Sequence, residues 1–201
     1  MQNKVILAVV GALVVMLLVW AAAFARPYAL HGSEIVPPMP APPVQLTRAD
    51  RSTFDLADLQ GRIALIFFGY TSCPDICPTT LADMKRIKAG LGAQAETVDF
   101  VFISVDPQRD TPERIQNYIS GFDPAFIGLS GSEEQLTPVW KGYGVYRQVQ
   151  EGASALGYLV DHSTRSYLID VSGNLRLTYA YGTPVEDVVR DIRFLLKEGA
   201  R

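Results

Sequence analysis

The chain is poor in the two residue types that most often build metal and redox centres: 201 residues include only two cysteines and two histidines. A closed structural zinc site takes four such ligands. One of the four candidates, His31, lies in a proline-rich stretch far from Cys73, Cys77 and His162, so zinc of that kind is a poor fit. Basic blocks are lacking as well. Lys4 and Arg26 are the only charges in residues 1–26, and the remainder holds 16 basic against 21 acidic residues, a net near −5. Proteins that neutralise phosphates present a basic face, so nucleic acid is a poor partner. Internal repeats and a second linker are also missing, and about 160 residues after the linker suffice for one domain with a substantial core.

One long hydrophobic run is present. Val5 to Ala25 carries no charge. At about 1.5 Å per residue a helix there covers roughly 30 Å, the thickness of a hydrocarbon core. The small residues Ala21-Ala22-Ala23-Phe24-Ala25 leave a cleaved secretory signal as the competing reading, and the length of the run favours an anchor. The segment from Arg26 to about Val44, which includes Pro-Pro-Met-Pro-Ala-Pro-Pro at 37–43, reads as an extended polyproline spacer, in which His31 and Met39 are expected to be solvated. The expected organisation is therefore a membrane anchor over 1–26, a linker over 27–44 and a folded domain over 45–201. The short basic end at Lys4 points to the cytoplasm, which puts a single-pass protein in the inner membrane with its domain on the periplasmic or extracytoplasmic side. A thiol pair can be oxidised there, so a pair meant for metal needs a reductant protein.

The cysteines form a Cys73-x-x-x-Cys77 pair, after the apolar run Ile63–Phe68 and ahead of a helical segment from Thr79 to about Leu91. A strand-to-helix junction lowers thiol pKa values through backbone N–H groups and the helix dipole. Redox pairs of the thioredoxin kind have two intervening residues, whereas three separate these. The wider gap suits a soft ion such as Cu(I); a redox pair in which Cys73 attacks and Cys77 resolves, and a static disulfide staple, are the other readings.

Ile63–Phe68 and Phe100–Val105 read as strands buried on both faces, and the helix between them makes a parallel crossover. Asp110-Thr111-Pro112-Glu113 opens a helix to about Ser120. Phe126–Leu129 is a short strand, and Ser132 with Gln135 has the spacing of a capping box for a helix towards Tyr143. Tyr167–Val171 and Leu175–Tyr179 read as a hairpin, and Thr183-Pro184 starts a last helix. His162 falls in a polar turn before that hairpin. Asp106, Arg109 and Asp110 are expected to cap the following helix and pair locally, and Trp140, Tyr143 and Tyr146 to pack in the core rather than form a partner-facing patch. The fold class is α/β: a thioredoxin-like layered domain with a central mixed β-sheet flanked by helices, preceded by a transmembrane helix.

Three stretches together carry a family likeness: Phe68 to Thr80 around the cysteines, Ser104 to Pro112, and Val160-Asp161-His162-Ser163 with Tyr167-Leu168-Ile169-Asp170. Over about residues 45–198 the chain resembles the Sco/SenC family of membrane-anchored, thioredoxin-fold copper chaperones that serve cytochrome c oxidase assembly. The resemblance implies Cys73, Cys77 and His162 as copper ligands, for Cu(I) and, with an added ligand, Cu(II). It implies Asp75 and Asp161 as carboxylates beside the ligands, and Cys73 with Cys77 as a redox pair if the protein also exchanges disulfides. The implied partners are the copper-site subunit of cytochrome c oxidase, a copper donor protein, a thiol reductant protein and the membrane. Many relatives have a histidine where this chain has Ser72. The resemblance implies a metallochaperone rather than an enzyme, with a membrane-tethered thiol–disulfide oxidoreductase acting on a partner's copper-site cysteines as the alternative.

Overall fold

The computed structural model describes residues 2–24, 28–154 and 157–199. The chain divides into two compact units at the Leu30–His31 boundary. The first holds one helix, α1 (Gln2–Phe24). Its stretch Gln2–Trp20 has a mean hydropathy of 2.3 and is long and apolar enough to cross a membrane, a property that signal sequences share.

The second unit runs β1 (Ser33–Pro40), β2 (Gln45–Thr47), β3 (Thr53–Asp55), β4 (Ile63–Gly69), α2 (Ile76–Leu91), β5 (Val98–Ser104), α3 (Pro112–Ser120), β6 (Ile127–Leu129), α4 (Glu133–Gly142), β7 (Arg147–Ser154), β8 (Gly157–His162), β9 (Ser166–Ile169), β10 (Asn174–Tyr179) and α5 (Val185–Gly199). Six strands form one sheet in the order β1-β10-β9-β4-β5-β6. β4, β5 and β6 are parallel, and β9, β10 and β1 add antiparallel. This is the thioredoxin-like mixed sheet flanked by helices. All seven residues of β4 are buried, as a central strand between helical layers requires. α2 buries Cys77, Leu81, Met84 and Leu91 along one stripe, the spacing of an amphipathic helix.

Four local readings change. The segment expected as a polyproline spacer contains β1, whose Ser33, Glu34, Met39 and Pro40 pair with β10. Polyproline and β backbones occupy neighbouring regions of φ/ψ space, and an edge strand tolerates residues without an N–H; the pairing register shifts between Glu34 and Met39, the interval that holds Pro37 and Pro38. His31 is not a free linker residue: its backbone N–H and Nδ1 both reach the carboxylate of Asp191 on α5, Nδ1 at 2.8 Å. α2 begins at Ile76 rather than Thr79, because Pro78 falls in the first turn, where a missing N–H costs nothing. Trp140 and Tyr143 are core residues, as expected, while Tyr146 is 57% exposed.

Candidate metal centre

The site forms where β4 ends and α2 begins. Gly69 closes β4 and has no room for a side chain: a Cβ would lie 2.9 Å from Cys77 Sγ and from the Phe102 ring. That close approach lets the Cys77 sulfur lie against the strand, fully buried. Cys73, in the loop before the helix, is partly exposed. The Cys77 backbone N–H points at Cys73 Sγ at 3.4 Å, so the first turn of α2 directs a donor at the first cysteine. Both cysteines are free thiols.

His162 ends β8, not a turn as expected from sequence. Its Nδ1 lies 2.8 Å from the Ser163 carbonyl. With Nδ1–H donating there, Nε2 is the ring nitrogen turned to the sulfurs, 3.7 Å from Cys77 Sγ. The ring packs edge-on against Phe67 and Tyr70. The three ligand atoms of Cys73, Cys77 and His162 all lie within 4.8 Å of one another, the one such group among the described residues. His31 and Met39 do not join it; Met39 lies on β1.

The two thiols are electrostatically unlike. A hydrogen bond from the Cys77 thiol, helped by His162 and the Asp75 and Cys77 backbone N–H groups, holds the Cys73 pKa down to about 4. Donating that bond, and burial beside the Cys73 thiolate, push the Cys77 thiol far up. The resting pair is thus a thiolate at Cys73 and a protonated Cys77 sharing one hydrogen bond.

Asp75 stands at the N-cap of α2 but makes no side-chain cap bond, and its exposed side chain lines an open cleft of about 380 Å³ with Cys73, Ile76, Tyr146, Asp161 and His162. The Asp161 carboxylate accepts a bond from Gln150 on β7. Asp106, Arg109 and Asp110 do more than the expected capping. Thr111, not Asp110, caps α3. The buried Asp110 carboxylate accepts bonds from Thr71 N–H, Thr71 Oγ1 and Ser104 Oγ, tying the cysteine loop to the end of β5, and burial raises its pKa. Arg114 donates to Thr71 Oγ1 and Ser72 Oγ. Sequence reasoning treated these residues as a helix start; the one available signal was two carboxylates flanking an arginine at the end of a central strand, where ligands gather in open α/β sheets.

The SCO1/SenC family model matches residues 38–197. A SCO2-like protein of Rickettsia prowazekii is 42% identical over 132 residues, 65% of this chain and 64% of that protein; the match thus spans just under two thirds of this curated relative's length. The copper-bound structure of Bradyrhizobium japonicum ScoI is 36% identical with a TM-score of 0.71, covering 79% of this chain and all of that one. The copper-bound structure of Arabidopsis thaliana ScoI is 35% identical with a TM-score of 0.71, covering 78% of this chain and 99% of that one.

Proposed function

The chain belongs to the SCO1/SenC family, and from that membership and the site geometry we propose that it is a membrane-anchored copper chaperone for the binuclear copper centre of cytochrome c oxidase. Cys73, Cys77 and His162 hold the copper as its cargo. The observation that carries this reading is the convergence of two sulfurs and one imidazole nitrogen within 4.8 Å. A soft, three-coordinate donor set of this kind selects Cu(I), and Cu(II) is accommodated when a further ligand enters from the cleft. Asp75 and Asp161 flank the cleft and act on the approach of partners rather than as ligands. α1 is the anchor in the inner membrane, residues 31–201 work on its outer side, and the partners are a copper donor, a thiol reductant and the copper-site subunit of the oxidase.

A second reading is supported by the unlike thiols. A partly exposed thiolate at Cys73 beside a buried, protonated Cys77 is the arrangement a dithiol needs to attack a partner disulfide and then resolve the mixed disulfide. In that exchange Cys73 forms the new S–S bond, one partner sulfur leaves, and Cys77 displaces the second as the pair is oxidised.

The deciding experiment is an anaerobic Cu(I) titration of the reduced protein against a competing chelator, with His162→Ala and Cys73→Ser beside it. One tight equivalent that weakens in both variants is expected. Absence of tight binding in the unaltered protein would move the function to disulfide exchange.

A further inference from the structure

β7 and β8 form a two-stranded ribbon of their own, outside the six-stranded sheet. The strand that ends in His162 therefore has no main-chain ladder to the strand that leads to the cysteines. Beyond the β9 ladder to β4, which resumes four residues after His162, side chains hold the ribbon: Arg147 of β7 donates to the Val105 carbonyl, and Arg109 reaches β8. Its Nε donates to Asp106 Oδ2 at 2.5 Å and its Nη1 to the Tyr158 carbonyl of β8 at 3.0 Å. Its guanidinium lies 3.6 Å over the Tyr158 ring and 5.6 Å from the centre of the Tyr70 ring. Tyr158 Oη donates to the other oxygen of the fully buried Asp106, at 2.6 Å. Tyr70 in turn touches both halves of the site: its hydroxyl accepts the Val160 N–H of β8 at 3.3 Å, its carbonyl accepts the Cys73 N–H at 3.3 Å, and its ring meets the His162 ring at 5.8 Å.

We propose that Arg109 is the positioning residue of the metal centre, holding the β8 strand so that His162 stays within ligand distance of Cys73 and Cys77. Asp106 fixes the guanidinium in the plane that stacks on Tyr158 and reaches the β8 carbonyl. A planar, forked, always-charged group can stack and donate in two directions at once, and a lysine ammonium cannot. The direct hold of Arg109 on β8 is the bond to the Tyr158 carbonyl and the stack on the Tyr158 ring. The proposal rests on the copper reading above.

The test is a double-mutant cycle in the full chain. Cu(I) affinity is measured by chelator competition for the unaltered protein, Arg109→Met, Arg109→Lys, His162→Ala and the Arg109→Met/His162→Ala pair. Loss of an outer support of a metal ligand weakens binding roughly 10–100-fold. Arg109→Met is expected to show such a loss, Arg109→Lys to fail to restore it, and the double variant to bind no more weakly than His162→Ala alone. An equal further loss in the His162→Ala background would overturn the proposal, since Arg109 would then act through the cysteines or general stability; so would unchanged affinity in Arg109→Met. Should Arg109→Met not fold, Tyr158→Phe, which removes the bond to Asp106 and a long contact with Gln108, is expected to give a smaller loss that also disappears in the His162→Ala background, and persistence of that loss would overturn the idea. Amide exchange in the metal-free protein separates this proposal from the copper reading. Faster exchange at Val160 with β9 unchanged is expected in Arg109→Met whether or not copper binds, and unchanged exchange at Val160 would refute the positioning role.

Discussion

Replacing Asp191 with Ala removes a fully buried carboxylate from the otherwise apolar stripe of Val188, Ile192 and Leu195 on α5. In the folded protein that carboxylate accepts the His31 and Gly32 backbone N–H groups at 3.0 Å, His31 Nδ1 at 2.8 Å and the Tyr179 hydroxyl at 3.2 Å. Each buried donor left without its acceptor costs about 1–3 kcal/mol. The His31 side chain is 31% exposed, so water recovers part of its share, while Tyr179 is 3% exposed and recovers little. Relief of the desolvated charge offsets some of the remainder, and a net loss of about 3 kcal/mol is expected from these terms. For a domain of this size that lowers the melting temperature by roughly 6–12 °C. His31→Ala keeps both backbone donors and is expected to cost about 1 kcal/mol or less. The assay is thermal unfolding of the full chain by circular dichroism, with Cu(I) affinity in parallel. No clamp residue lines the cleft at Cys73 and His162, so affinity is expected to stay unchanged. An Asp191→Ala protein melting within about 2 °C of the original, where some 3 kcal/mol predicts several times more, would refute the reasoning.

Two further outcomes follow from the site. With its pKa held to about 4, Cys73 keeps its thiolate as pH falls, so its alkylation rate, mapped by mass spectrometry, is expected to be nearly flat from about pH 8 to about pH 5. An ordinary thiol of pKa near 8.5 slows about tenfold for each unit below it, and such a slope at Cys73 would sink the charge assignment. Gly69→Ala puts a Cβ 2.9 Å from Cys77 Sγ and the Phe102 ring. A loss of about 1–3 kcal/mol by overpacking is expected, with weaker Cu(I) binding as Cys77 is displaced; a variant equal to the original in melting and in chelator competition would show that the strand end yields freely.

Periodicity made the central elements legible. Ile63–Phe68 and Phe100–Ile103 are unbroken apolar runs because they are buried on both faces, and the capping box at Ser132 and Gln135 has the same geometry as its sequence spacing foretold. The three residues of the candidate centre were readable through the family resemblance; the cysteine spacing by itself left a redox pair or a staple open, and His162 by itself read as a turn residue. What stayed hidden was non-local. Nothing in the Pro37–Pro43 stretch says that its neighbours pair with β10, because an edge strand and a polyproline segment look alike until a partner is known. The β7–β8 ribbon was missed for a related reason. Residues such as Gln148, Gln150 and Asp161 give an exposed two-stranded element no hydrophobic alternation, and its hold on the domain comes from side chains such as Tyr70, Arg109, Arg147 and Tyr158, whose meeting is a property of the fold.

Copper carriage and disulfide exchange draw on the same sulfur pair but ask different things of the surroundings. Exchange needs an accessible thiolate and a nearby resolving thiol, and Cys73 and Cys77 meet that need chiefly through their shared hydrogen bond, with the α2 N-terminus and His162 assisting. Copper carriage needs a third donor held at a fixed distance, and His162 comes from a separate sheet. The network of Asp106, Arg109, Tyr158 and Tyr70 spans that separation. The desolvation of the buried Asp106 carboxylate is costly unless its geometry is closely satisfied, and here Arg109 and Tyr158, the latter on the strand that carries the imidazole, satisfy it. On the positioning proposal above, the structural weight around Arg109 falls on the side of the metal.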